Sequence, residues 1–480
     1  MSRDMSYSAV MARKNEIMKK AVGIDYDKFE SDGIAFDYER MMRDVGYSIE
    51  EIRKIQAETS VGNTPLIELK NLTKLVRMTS PPGKGARIFI KDEAANPSGS
   101  FKDRRASVSA YRAKSLGYRG IISATSGNYG AAVASQAAMR GLKCIVVQEV
   151  FDSKGRGQPE ILEKGRKCEA LGAEVVQLTV GPELFYTFLC LLEETGYFNA
   201  SLYTPFGIAG IETLGYELAE QVRARTGKEP DAVVITHAGG GNVTGTARGL
   251  LKAGCKNTKI IGASVDLTGL HMASDRDFNR KSFTTGHTGF GVPFATWPDR
   301  ADVPRNAARP LRYLDRYVTV SQGEVFYITE ALAQLEGMER GPAGNTSLAA
   351  AFAIAREMDE DEILVVQETE YTGAGKLPTA QLTFAREMGV EVRRGDPAEE
   401  KPGERIVIPE HPAQIRVKDV DLDQLRKSYV KNCLNHYKGV KITPEDIKFL
   451  AEDTKTSENY IENLINSAVS SLKNEESFNL

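Results

Sequence analysis

Asn96-Pro97-Ser98-Gly99-Ser100-Phe101-Lys102-Asp103-Arg104 stands between a β-rich run, Arg87-Ile88-Phe89-Ile90, and a helical stretch that continues to about Leu116. The Asn-Pro-Ser-Gly turn breaks the chain sharply. Ser100 is then placed to cap the following helix, with Asp103 at the third helical position, so Lys102 falls in the first turn. The positive end of a helix disfavours an ammonium by about a kcal/mol or less. A lysine biased toward the free amine can form a Schiff base with a carbonyl compound. A lysine at a helix start is ordinarily a solvated surface charge, but a surface helix start does not need the turn that precedes this one.

The same alternation of strand and helix extends in both directions. Gly120-Ile121-Ile122-Ser123, Cys144-Ile145-Val146-Val147 and Ala173-Glu174-Val175-Val176 follow Arg87–Ile90 as a first group of strands. Asp231–Thr236, Lys259–Ala263 and Glu362–Val366 form a second. Strand, helix, strand at this spacing predicts parallel sheets covered on both faces, hence two doubly wound α/β units with a cleft between them. The expected division is a helical extension over 1–60, a core over 61–395 with a smaller α/β subdomain at about 105–215, and a linker and helical extension over 396–480. Ser48-Ile49-Glu50-Glu51 reads as a capping box in the first of these, and Arg393–Pro397 with Lys401–Glu404 as linker chemistry in the last.

The totals narrow the partners. A chain of 480 residues with 41% hydrophobic content supports about two to three packed units. A net charge of -3 with mixed signs gives no broad field for a nucleic-acid backbone or an anionic membrane. The charged start, Met1 to Lys20, has no apolar signal region and no later run is long enough to span a bilayer, so the expectation is a cytoplasmic protein acting on small molecules. Cys144, Cys168, Cys190, Cys255 and Cys433 lack the paired spacing of a zinc site or disulfide framework and read as ordinary thiols; no metal is expected.

Three further loops carry chemistry. Thr125-Ser126-Gly127-Asn128-Tyr129-Gly130 opens the small-residue helix Ala131 to Met139, and free N–H groups there can seat a carboxylate or phosphate, although Asn128 alone could be a plain cap. His237-Ala238-Gly239-Gly240-Gly241-Asn242-Val243-Thr244-Gly245 precedes a helix expected over Thr246 to Leu251 and has the glycines of an anion cradle. It fits neither the P-loop nor the dinucleotide fingerprint, which weakens an ATPase or nicotinamide reading. Thr369-Glu370-Tyr371-Thr372-Gly373-Ala374-Gly375-Lys376 lies just past a buried strand, where a hydroxyl can meet a heterocycle.

In this order SFKDR, SGNYG, GGGNVTG and TGAGK resemble the fold-type II pyridoxal-phosphate family, of tryptophan synthase β-like fold, and most of all its threonine synthase branch. Asn63-Thr64-Pro65-Leu66 and Phe206–Thr213 resemble two more of its motifs, and the likeness spans about Val61 to Glu387. The resemblance implies pyridoxal 5'-phosphate as cofactor, Lys102 as its Schiff-base lysine and Asn128 as partner of the cofactor's 3'-oxygen. Gly239, Gly240, Gly241, Asn242 and Val243 would hold the phosphate, Thr372 would face the pyridine nitrogen, and Ser126, Gly127 and Tyr129 would hold the substrate carboxylate. Tyr129 stands where the family usually has histidine, threonine or alanine, and Gly373-Ala374-Gly375-Lys376-Leu377 departs from the T-G-x-G-L-K of threonine synthases.

The long N-terminal extension, the Tyr129 loop and the added C-terminal helices resemble a thiolase branch of this family. That implies cleavage of 2-amino-4-oxopentanoate with coenzyme A to alanine and acetyl-CoA in ornithine degradation. It also implies a small α subunit as partner and a dimer of cofactor-binding chains. The same cofactor residues would serve a γ-replacement or a β-elimination, including an ammonia-lyase type. Thr443–Asp446 followed by Lys455–Glu458 could also open a helix-turn-helix, but its second helix is acidic at Glu458 and Glu462, which opposes nucleic acid. His237 reads as a structural residue at a strand end, His271 and His287 fall in a segment where substrate-facing loops are plausible, and Trp297 reads as a packing residue.

Overall fold

The computed structural model describes residues 3–125, 127–268, 277–284, 303–371 and 378–477. The strands are β1 (Leu66–Glu68), β2 (Arg87–Asp92), β3 (Gly120–Thr125), β4 (Lys143–Phe151), β5 (Glu174–Thr179), β6 (Phe198–Asn199) and β7 (Ala232–Thr236). They continue with β8 (Lys259–Val265), β9 (Arg316–Val320), β10 (Ile363–Glu368), β11 (Glu391–Gly395), β12 (Arg405–Pro409) and β13 (Lys418–Asp419). The larger sheet has the order β1-β2-β10-β7-β8-β9-β13, parallel except for β1 and β13 at its edges. The smaller is wholly parallel, β5-β4-β3-β6.

Successive residues of a strand point to opposite faces, and the larger sheet fills both. Phe89, Val233, Ile235, Ile260, Ile363 and Val365 pack on one side with the helices Pro205–Thr226 and Gly241–Lys252. Ile88, Ile90, Val234, Ile261, Leu364 and Val366 pack on the other with Lys70–Met78, Gln322–Glu336 and Asn345–Ala355. In the smaller sheet Ile121 and Val146 face the main core, while Ile122, Ile145 and Val147 meet Leu184, Phe188 and Leu192 of the helix Glu183–Thr195. This double coverage is why the central strands read as continuous apolar runs.

Sequence order misleads at two places. The Arg87–Asp92 run falls with the first group of strands along the chain, yet β2 pairs β10 in the larger sheet. The Pro- and Gly-rich stretch after Val392 is not an unstructured joint: β11 and β12 pair in parallel. Val390, Ile406 and Ile408 are buried there with Phe283, Phe326, Leu382 and Ala385. Half-buried Glu400 accepts the N–H groups of Gln322 and Gly323 at 2.7 and 2.9 Å, tying this ribbon to a helix start that turn composition alone does not reveal. The Ser48/Glu51 capping box is present, with Ser48 N–H donating to Glu51 at 2.7 Å.

The helix that carries Lys102 is anchored by its neighbour. Arg104, fully buried, donates to both oxygens of Glu93 at 2.7 and 2.8 Å, to Thr213 Oγ1 at 3.1 Å and to Glu217 at 3.2 Å. Glu217 also accepts the N–H groups of Asn63 and Thr64 at 2.9 and 2.8 Å and pairs with buried Lys91. Two cations and two carboxylates thus balance inside the protein. Burial opposes ionisation of Glu217, but Arg104 and Lys91 outweigh it and hold its carboxyl down at about 2.

Glu217→Gln leaves Arg104 and Lys91 short of a countercharge, and removing one partner of a buried pair costs roughly 3–5 kcal/mol. A folded pKa below the unfolded value gives stability that is present above the unfolded pKa and lost as pH falls through the folded one. Urea unfolding at a series of pH values is therefore expected to show the native chain losing roughly 3 kcal/mol more than Glu217→Gln between about pH 4.5 and pH 2. Parallel pH profiles for the two proteins would contradict the assignment.

Candidate active site

Four connections leave the C-terminal ends of parallel strands, the end at which ligands of doubly wound sheets bind. After β2 the chain runs through Asn96–Phe101 into the helix Lys102–Ser115. Phe101 N–H donates to Thr369 O at 3.0 Å and Tyr371 N–H to Gly99 O at 2.7 Å, which stitches this loop to the segment after β10. Gly99 has φ +78°, and a Cβ there would lie 2.3 Å from Tyr371 O. Ser100 does not cap the helix as expected. Its backbone bridges to Glu370, and Asp103 instead reaches back to accept Ser98 N–H at 2.7 Å. Lys102 nevertheless opens the helix, half-buried, with Nζ 5.3 Å from the centroid of the Phe101 ring.

Asp103 is buried beside it. Burial pushes its carboxyl up to about 7, against the pull of the Ser98 hydrogen bonds and of Lys167. Lys167 Nζ donates to Ser98 O, so a second lysine braces the turn from the helix Pro159–Ala170.

After β3, Thr125 Oγ1 accepts the N–H groups of Gly127 and Gly130 at 2.9 and 3.3 Å and shapes the turn into the helix Asn128–Arg140. Asn128 and Tyr129 form its buried first turn. Gly127 packs against Lys164, whose Cδ would lie 2.5 Å from a Cβ placed at Gly127. Lys164 is buried and pairs with Glu160 at 2.8 Å. Burial disfavours its charge, but Glu160 and Glu370 prevail and keep it a cation.

After β7 the helix starts at Gly241, not Thr246: of the glycines that read as loop, Gly239 and Gly240 are the last two residues before the helix and Gly241 is its first. Gly240 holds φ +84°, a conformation that glycine adopts at no steric cost. A Cβ at Gly239 would lie 1.9 Å from Tyr203 Oη, one at Gly240 2.4 Å from Pro310 Cγ, and one at Gly241 2.5 Å from Arg105 Nη2. As the first residues of the helix, Gly241, Asn242 and Val243 carry N–H groups with no partner within it. Val243 sends its side chain into the core, while buried Asn242 leaves its Nδ2 without a partner among the described residues.

These loops close into one ring. Arg105 interacts electrostatically with Tyr203 and Tyr129, and shares the Phe101 ring with Lys102. Lys164 links Gly127 to Glu370, and Glu370 is bridged to Ser100. Ser126, Thr372 and Gly373–Lys376 lie outside the described residues, as do His271, His287 and Trp297. His237 is buried with its ring 5.1 Å from that of Tyr317 in a T-shaped contact. Burial pushes the Cys144 and Cys168 thiols up to about 12. Among the described residues no cluster of His, Cys, Asp and Glu could hold a metal ion, and no helix is long and apolar enough to cross a membrane.

A glycine cradle with no room for side chains, orphaned donors at a helix start and an adjacent half-buried lysine fit a cofactor that carries a phosphate and an aldehyde. Arg105, Tyr203, Lys164 and Pro310 were invisible as site residues in the sequence. Glu160 and Lys164 have the i, i+4 spacing of an exposed helix pair, and Arg105 gave only the weak signal of a second arginine in a helix that must bury its first turn.

Comparison with known proteins agrees. The family model of pyridoxal-phosphate dependent enzymes matches residues 57–368. A 2-amino-4-ketopentanoate thiolase beta subunit from an unknown prokaryotic organism is 71% identical over 465 residues, 97% of this chain and 98% of that protein. One from Acetoanaerobium sticklandii is 67% identical over 461 residues, 96% and 98% of the two chains. Maize serine racemase shares the fold at a TM-score of 0.51 with 20% identity, over 71% of this chain and 99% of its own. The chain belongs to the pyridoxal-phosphate-dependent enzymes of fold-type II, and within them to the family of the 2-amino-4-ketopentanoate thiolase beta subunits.

Proposed function

We propose that this chain is the cofactor-binding subunit of a cytoplasmic thiolase that cleaves 2-amino-4-oxopentanoate with coenzyme A, giving alanine and acetyl-CoA in ornithine degradation. The observation that carries the reading is the extent of the likeness: it runs through both extensions as well as the core. The word "beta" in the relatives' names supports a small α subunit as partner, and the coenzyme A site is assigned to no residue of this chain.

When bound, pyridoxal phosphate supplies the electron sink that lets a carbanion form at Cα of the amino acid and, after a proton shift, at Cβ. Lys102 Nζ, at the helix start beside the Phe101 ring, would take the Cα proton and return it. The backbone N–H groups at Gly127 and Asn128, with Ser126 and Tyr129, seat the substrate carboxylate. Lys164 behind Gly127 supplies a buried positive charge on that side. Asn128 would hold the cofactor's 3'-oxygen, and Gly239, Gly240, Gly241, Asn242 and Val243 would hold its phosphate. Thr372, as the family resemblance implies, would offer the pyridine nitrogen a neutral hydroxyl, which would leave proton transfer to Lys102. In the overall reaction the Cβ–Cγ bond breaks, the thiol sulfur bonds to the C4 carbonyl carbon, and the thiol proton ends on the methyl group of alanine.

Absorbance and an acetyl-CoA assay test this directly. The purified chain is expected to show the visible band of bound cofactor, to lose it in Lys102→Ala, and to form acetyl-CoA only when the α subunit, coenzyme A and 2-amino-4-oxopentanoate are all present. Release of phosphate or ammonia with no requirement for coenzyme A would replace the thiolase reading with replacement or elimination chemistry.

A methyl group at Gly127 meets the pinned Lys164 stem, and displacing a binding loop by about 1 Å can cost up to 100-fold in rate. Gly127→Ala is expected to raise KM for the amino acid tenfold or more while the visible band keeps its intensity. An unchanged KM would remove Gly127 from the substrate seat.

A further inference from the structure

Arg105 stands apart among the arginines of the core. It is 4% exposed, yet among the described residues it pairs with no carboxylate, whereas its neighbour Arg104 is matched by Glu93 and Glu217. Its Nη1 donates to Leu202 O at 3.1 Å and its Nε has no partner among the described residues. Burial brings its pKa down to about 10, with Tyr203 and Tyr129 opposing the fall, so the group is a cation at neutral pH. An unpaired buried charge is costly, and such a group persists where something else supplies the countercharge.

The place where that countercharge belongs is defined by Gly241. Arg105 Nη2 and Nη1 lie 2.5 and 3.1 Å from where a Cβ would stand at the first residue of the helix Gly241–Lys252. The guanidinium thus occupies the mouth of a twelve-residue helix whose dipole and free N–H groups attract an anion. The unpartnered Nδ2 of Asn242 is next in the chain. Arg105 also packs over the Phe101 ring at 5.4 Å, the ring that Lys102 Nζ approaches at 5.3 Å. The cation therefore touches both the glycine cradle and the aromatic ring that the lysine approaches.

We propose that Arg105 is a cofactor-binding residue whose guanidinium pairs with the phosphate dianion of pyridoxal phosphate at the start of the helix Gly241–Lys252. The proposal extends the cofactor assignment and needs no particular substrate. A glycine cradle supplies neutral N–H groups and the partial charge of a helix end; Arg105 adds a full charge in a fork that matches phosphate oxygens. It also accounts for Gly241, since any side chain there would displace the guanidinium.

Dissociation constants of the full chain for pyridoxal phosphate and for pyridoxal, which lacks the phosphate, test it. Loss of a charge-assisted contact of this kind weakens binding by roughly 10- to 100-fold. Arg105→Met is expected to weaken pyridoxal phosphate by that factor and to leave pyridoxal unchanged. Arg105→Lys, which keeps the charge but not the fork, is expected to show a several-fold loss, again for pyridoxal phosphate alone. Circular dichroism checks folding, and if Arg105→Met is recovered unfolded, Arg105→Lys carries the comparison. Equal weakening of both ligands, or no weakening of pyridoxal phosphate in the folded variant, would overturn the proposal. A loss confined to coenzyme A binding would overturn it in favour of a coenzyme A phosphate, and one confined to the amino acid in favour of the substrate carboxylate.

Discussion

Arg104 holds the active-site loops in register through bonds that reach four separate parts of the chain. Glu93 fixes the exit of β2, and Asn96 in turn bonds to Glu93 at 2.9 Å, setting the turn that leads to Lys102. Glu217 draws in the Asn63–Thr64 backbone. Thr213 brings in the long helix Pro205–Thr226, and Gln56 of the N-terminal extension donates to Gly210 O at 2.8 Å and Arg104 O at 3.2 Å. A buried network of this kind adds little stability over an apolar replacement, because desolvation consumes most of the Coulomb gain. Its directional demands are what matter: each bond is lost if a loop slips. Lys102, two residues before Arg104, inherits that fixed position.

The long helix contributes a second constraint. It approaches the cradle helix so closely that a Cβ at Gly215 would lie 2.0 Å from Thr246 O and one at Gly249 2.0 Å from Glu212 O. Helices normally pack with 8–10 Å between axes, the closest distances needing small residues. Arg104 therefore positions the cradle as well as the lysine, through one helix that touches both. The stretch Phe206–Thr213, which resembles a family motif in sequence, lies in the helix that couples the two halves of the site.

What could be read from the sequence follows from how local each signal is. Strand runs, glycine-rich turns and the position of Lys102 are encoded in consecutive residues, and all three emerge from pattern alone. The identity of β2's partner is not, since pairing with β10 joins residues far apart in the chain. The helix starts at Gly241, earlier than its pattern suggests, because glycine's low helical propensity obscures a helix whose first turn must leave room for a ligand. Ser100 reads as a cap, yet its backbone is bridged to Glu370 and Asp103 takes the bond to the loop. Arg105 and Lys164 acquire meaning only from what lies across from them, Gly241 and Gly127, and no spacing rule connects those pairs.

The two terminal extensions likewise bear on the cradle, although neither contributes a residue to it. Asp446 of the C-terminal helix Pro444–Thr454 accepts the N–H groups of Ile34 and Ala35 at 2.6 and 2.8 Å, joining the two ends of the chain. Arg309 lies against Tyr38 from one extension and Tyr429 and Phe449 from the other, and pairs with buried Asp453. The backbone N–H of Arg309 donates to Thr244 Oγ1 at 2.9 Å, within the first turns of the cradle helix. Pro310, the next residue, is the group that fills the space beside Gly240. The helix pair that could be taken for a helix-turn-helix thus spends Asp446, Phe449 and Asp453 on internal packing. Through Arg309 and Pro310 that packing sets one wall of the phosphate cradle, so a contact that loosens the extensions is felt where the cofactor is held.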